Sequence, residues 1–172
     1  MAELSRRVTV SYDFNQLYLY DAERERWEEG NEYLDALAAA KETGLTVGAR
    51  SGVVDVLMPR RENFGAILAI QVLPSPPAVR GDADHIVEFD LALHSGRLVL
   101  EGSGGSGTTE VELRPGSYRA RLSGEQFDPA RSWGYEDSGN PSDAYTLELW
   151  PSTSPAPPTE VLRWAGYGET GG

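Results

Sequence analysis

The chain contains no cysteine, two histidines, one lysine and no long unbroken apolar run. Without cysteine there can be no disulfide, no zinc-thiolate site and no thiol nucleophile. The two histidines, His85 and His94, fall on opposite faces of one predicted strand, so a regular strand does not let them share a metal. A Ser-His-Asp arrangement has the residues it needs, but no serine sits in a G-x-S-x-G elbow. A membrane helix needs ~18 or more consecutive apolar residues, and none of the runs approaches that. Ser5-Arg6-Arg7 has the beginning of a twin-arginine signal, yet "VTVSYDFNQLYLY" alternates where an export signal requires a continuous apolar stretch. A cytoplasmic protein that enters no membrane is the resulting expectation.

Negative charge is what the chain has in excess: 27 Asp and Glu against 15 Lys and Arg, for a formal net charge of -12. Such a surface repels nucleic acid and anionic lipid and favours a basic protein partner. At 172 residues one hydrophobic core is enough. The reading is a single domain over residues 1–150 and a Pro/Gly-rich tail over 151–172, loosely attached, with Val161, Leu162 and Trp164 available to pin its middle.

Periodicity places one helix and many strands. From about residue 22 to 43 apolar residues recur at helical spacing, with Trp27, Leu34, Leu37 and Ala38 near one face and carboxylates mostly elsewhere. Gly30-Asn31 is a possible break, and Gly44 a stop signal. Elsewhere short half-apolar runs are separated by turn residues. Val87, Phe89, Leu91 and Leu93 share a face with His85, while Glu88, Asp90 and His94 take the other. The fold class is mostly β: a two-layer antiparallel β-sandwich with one N-terminal acidic helix packed at an end or across a face. "LRPGSYRARL" reads as a hairpin, with Gly116 at positive φ and strands 109–113 and 117–122 paired. Arg119 and Arg121 then stand on a wet face opposite Glu110 or Glu112.

Few motifs carry chemistry. "EGSGGSGTTE" lacks the lysine and the following helix of a phosphate loop and reads as a hairpin connection. Carboxylate pairs are too common to single out two. The stretch from Gly124 to Tyr145 is more selective, because so long a connection between strands is unusual and often functional. It supplies Phe127, Trp133 and Tyr135 among Asp128, Glu136, Asp137 and Asp143, which makes it the expected partner-binding surface. Glu25, Glu28, Glu29 and Glu32 on the helix form a second, purely acidic surface. Asp137-Ser138-Gly139-Asn140 offers oxygen ligands without the spacing of a calcium loop, so neither metal nor cofactor is expected. The competing reading is a ligand-binding or hydrolytic sandwich with its site among the strand-end loops.

The order of "VTVSYDFNQLYLYD", "WEEGNEYLDALAAAKETGLTVGA", "DHIVEFDLALHSGRLVLE" and "VELRPGSYRARL" resembles the competence protein J (ComJ) family over residues 7 to about 150. That resemblance implies a β-sandwich without catalytic activity, acting inside the cell as an inhibitor of a DNA-entry nuclease. It brings no inhibitory residues that can be placed position by position.

Overall fold

The computed structural model describes residues 4–24, 31–127 and 142–167. In chain order the elements are β1 (Leu4–Tyr12), β2 (Gln16–Asp21), α1 (Glu32–Thr43), β3 (Val47–Arg50), β4 (Val53–Leu57), β5 (Asn63–Val72), β6 (His85–Leu93), β7 (Arg97–Gly102), β8 (Gly107–Glu112), β9 (Gly116–Glu125), β10 (Ala144–Pro151) and β11 (Thr159–Leu162). They form a six-stranded sheet in the order β1-β5-β10-β9-β6-β11 and a five-stranded sheet in the order β3-β4-β2-β7-β8. The two sheets face each other as a mostly-β sandwich. Among the described residues all strand pairings are antiparallel except β5 with β10, which run parallel in the middle of the larger sheet. Among the described residues no helix is long and apolar enough to cross a membrane.

Alternation builds the core. Leu68 and Ile70 of β5, Val87, Phe89 and Leu91 of β6, Ala120 and Leu122 of β9, and Leu147 and Leu149 of β10 point inward. From the other sheet they meet Leu17, Leu19, Val54, Val56, Leu98, Leu100 and Val111. Burying this many aliphatic side chains, each worth roughly 1.5–3 kcal/mol, is the main favourable contribution to folding.

The hairpin expected at Pro115-Gly116 is not formed. β8 pairs with β7 through the glycine-rich turn, whereas β9 lies in the other sheet between β6 and β10. With a long strand on each side β9 has no free edge for β8, so residues 113–115 carry the chain from one sheet to the other. Tyr118 OH donates to Arg114 O (2.7 Å) across that corner. Gly116 is not among the residues of positive φ.

Arg119 and Arg121 are likewise not on a wet face. Both are buried on the outer face of the larger sheet. Arg121 holds Glu88 at 2.8 Å and donates to the Pro77 and Ala78 carbonyls. Arg119 holds Asp90 at 3.0 Å and donates to the Ala156 and Pro157 carbonyls. Two proline-rich segments, drawn from far along the chain, cover this face, and that is why its charges are dry. Residues 152–167, read as a loose tail, follow the same grip: β11 pairs with β6, Trp164 packs against the core, and the buried Tyr167 donates to Leu57 O (2.7 Å). Val161 and Leu162 are exposed.

α1 begins after Asn31 and ends at Gly44, whose φ of 70° is the left-handed stop expected of it. It lies across the outer face of the smaller sheet, on β3 and β4. Its buried stripe is Glu32, Ala36 and Ala40, while Leu34, expected to face the core, is 64% exposed. Small residues are needed because the helix backbone sits directly on Gly48: a Cβ there would lie 2.1 Å from Ala36 O and 2.5 Å from Ala40 N. Gly48→Ala is therefore expected to destabilise the protein by about 2 kcal/mol or more. Gly65→Ala, whose Cβ would meet nothing, serves as the near-neutral control in thermal melts.

Candidate functional site

The acidic region that the described structure assembles lies on the outer face of the smaller sheet, beside α1. Tyr18 and Tyr20 of β2 alternate with the core residues Leu17 and Leu19 and so point outward. Tyr20 OH donates to Glu101 of β7, and Tyr33 OH, from the first turn of α1, donates to the same carboxylate at 3.0 Å. The Arg24 guanidinium lies 4.4 Å above the Tyr20 ring centre, donates to Tyr33 OH (3.1 Å) and pairs with Glu32 (3.2 Å). Burial, reinforced by the Glu101 carboxylate, pushes the Tyr20 hydroxyl well above the usual phenol range, so it remains a donor. Along the rim, Arg97 bridges Glu23 (3.0 Å) and Glu110 (3.3 Å), and Glu112 is exposed on β8. At Asp21 burial raises the pKa, but the Glu23 and Ser95 backbone N–H groups outweigh it and hold the carboxyl below its ordinary range. Aromatic rings thus back a carboxylate rim.

The expected partner-binding residues are distributed differently. Asp128, Trp133, Tyr135, Glu136 and Asp137 lie outside the described residues, as do Glu25, Glu28 and Glu29, which the sequence reading assigns to the helix. Phe127, Asp143 and Glu32 are buried and so do not form an open contact surface. Glu32 serves Arg24. Asp143 accepts from Tyr145 OH (2.5 Å) and Asn63 Nδ2 (3.3 Å) and pairs with Arg60 (2.9 Å). Phe127 packs edge-on against Trp164, with ring centres 5.2 Å apart, over Gly124, which leaves room for its ring. Phe127 and Asp143 anchor the two ends of the connection from 128 to 141. No sequence motif marks Tyr20, Tyr33, Arg24 and Glu101, although Tyr18 and Tyr20 alternating with two leucines separates the faces of β2.

His85 is buried at the start of β6. It sits between Thr46 and Glu160 in a grouping that superficially resembles a hydrolytic triad. The proton arrangement is the wrong one. Trp164 N–H donates to His85 Nδ1 (3.2 Å), so Nε2 carries the ring proton and donates to Thr46 Oγ1 (2.8 Å). The Thr46 hydroxyl in turn donates to Glu160 (2.6 Å). A general base must aim a lone pair at the hydroxyl, and both His85 nitrogens are committed otherwise. The network instead ties β11 to the residues before β3.

No protein-family model matches the chain, and no curated protein matches it. Among solved structures two share its fold along nearly their whole length. One is the crocagin biosynthetic gene J product, 19% identical, covering 88% of this chain and 99% of its own with a TM-score of 0.60. The other is ComJ from Bacillus subtilis, an inhibitor of the DNA degrading activity of NucA, 13% identical, covering 88% of this chain and 98% of its own with a TM-score of 0.56. The protein has a ComJ-like fold.

Burial pushes the His85 pKa down to about 4, against an opposing pull from Glu160. Because the folded value lies below the unfolded value of about 6.5, this group's contribution is complete above that pH and is lost as pH falls through 4. Urea denaturation across this range should show about 3 kcal/mol of acid-dependent loss from this group. Replacing His85 with glutamine should flatten that dependence.

Proposed function

We propose that the protein is a non-catalytic binding protein that antagonises a basic protein partner, of which a nuclease is the foremost candidate. The observation that carries this reading is the likeness in fold to ComJ over 88% of the chain, ComJ being an inhibitor of a DNA-degrading activity, in a chain whose net charge is -12. The carboxylates of Glu23, Glu101, Glu110 and Glu112 along one rim are compatible with this reading, and the hydrogen-bond direction around His85 speaks against a hydrolase. Long-range attraction from such a rim would speed encounter with a cationic cleft. Apolar anchors would hold the complex once formed, and Trp133 and Tyr135 in the 124–145 connection have that chemistry.

Surface plasmon resonance against basic nucleases, beginning with NucA, separates the two contributions. Glu110→Gln with Glu112→Gln should slow association several-fold at low salt and leave dissociation nearly unchanged. Trp133→Ala should cost about 2 kcal/mol, mostly as faster dissociation. Failure of the protein to bind or inhibit any basic nuclease at low salt overturns the reading.

A further inference from the structure

Asp55 occupies the middle of β4, directly opposite Gly48 of β3 and Tyr18 of β2. Its neighbours Val54 and Val56 point into the main core. Asp55 therefore points the other way, on the side of Val53, beneath α1. Gly48 offers no side chain there, and the helix backbone closes over the space it leaves. The carboxyl is fully enclosed, at 0% exposure. Neither oxygen has a hydrogen-bond partner among the described residues. An ionised carboxylate buried without a partner is among the most unfavourable groups a fold can hold, whereas the neutral acid costs far less. Burial alone pushes this group up to about 8.

The surrounding charges do not relieve it. On α1, Glu32 is paired with Arg24 and Glu42 with Arg50 of β3; Asp35 carries charge of the wrong sign, and Lys41 is exposed. On β2, Tyr18 OH donates to Gln16 and Tyr20 OH to Glu101. On β7, Glu101 receives Tyr20 and Tyr33. β4 has no other titratable side chain.

We propose that α1 is a proton-controlled cover, closed on β3 and β4 while Asp55 is protonated and driven toward an open position as Asp55 ionises. In the open state water reaches the carboxyl and its pKa returns toward the ordinary value of about 4. The closed-state value is the higher of the two, so Asp55 favours closure fully below about pH 4 and progressively less as pH rises toward 8. Across that window the opening equilibrium rises up to about tenfold per pH unit, and it levels off above. Opening also carries away Tyr33 and Glu32, which hold Glu101 and Arg24, and it bares Asp55 and Tyr18. The cover thereby couples proton concentration to the shape and charge of the acidic face. The mechanism of the cover stands independently of what that face binds.

Hydrogen exchange tests it on the full chain without any partner. Amide protection from Leu37 to Ala40, corrected for intrinsic rates, is compared at about pH 5.5 and about pH 7.5 in the wild type, Asp55→Asn and Asp55→Val. Wild-type α1 should lose up to about 100-fold in protection over those two pH units. The core amides of β6 and β9 should not follow, and both variants should be nearly pH-independent. Two results overturn the proposal: variants that track the wild type, or wild-type β6 and β9 losing protection together with α1.

Discussion

Two guanidinium groups on the outer face of the larger sheet set the conditions for much of what surrounds them. Arginine has five N–H donors and no acceptor, while a proline-rich segment offers carbonyls and few N–H groups. The match is chemical as well as spatial: Arg121 takes the carbonyls of Pro77 and Ala78, and Arg119 those of Ala156 and Pro157. Segments that cannot extend a β-ladder are thereby satisfied while covering the sheet. The coupling works in both directions, because Glu88 and Asp90 neutralise the guanidinium groups, and the covering segments remove the water that would weaken those pairs. Removing one partner of such a buried pair costs about 3–5 kcal/mol. A lysine could supply the charge but not the planar fork, and the chain's cations are arginine with one exception.

Alternation along the strands makes much of the sandwich legible in the sequence. On β6 (His85–Leu93) the separation of Val87, Phe89, Leu91 and Leu93 from Glu88 and Asp90 holds in three dimensions. What alternation cannot report is whether the second face is wet. That depends on residues 74–78 and 152–158, which are distant in sequence and carry no periodic signal. The hairpin expected at Pro115-Gly116 does not form for a related reason: local turn chemistry carries no information about the competition for strand edges that keeps β8 and β9 in different sheets. On α1 the large apolar residues suggested a buried face, but the close approach to Gly48 selects Ala36 and Ala40 for contact and leaves Leu34 outside.

The candidate site was less readable than the fold. Its carboxylates come from the end of β2, from β7 and from β8, and its aromatic backing from β2 and α1, so no single stretch of sequence displays it. Acidic residues are abundant throughout, which hides the few that the topology gathers. Sharing a fold at 19% and 13% identity with two other proteins follows from the same physics, since many apolar alternations fill one sandwich equally well. Surface charge is free to differ among such chains, and a shared fold does not by itself fix a shared function.

The parallel pairing of β5 with β10 has a consequence for how the protein is made. β10 is the penultimate strand among the described residues, yet it occupies an interior place in the larger sheet, between β5 and β9. β1 and β5 can pair early, but they have no sheet to join until β10 has left the ribosome. For the time needed to translate the intervening residues, one edge of β5 and its apolar face stay open to other chains. Such long-range closure slows folding and lengthens exposure to aggregation. The strand that completes the sandwich is therefore also the one that ends its most vulnerable interval during synthesis.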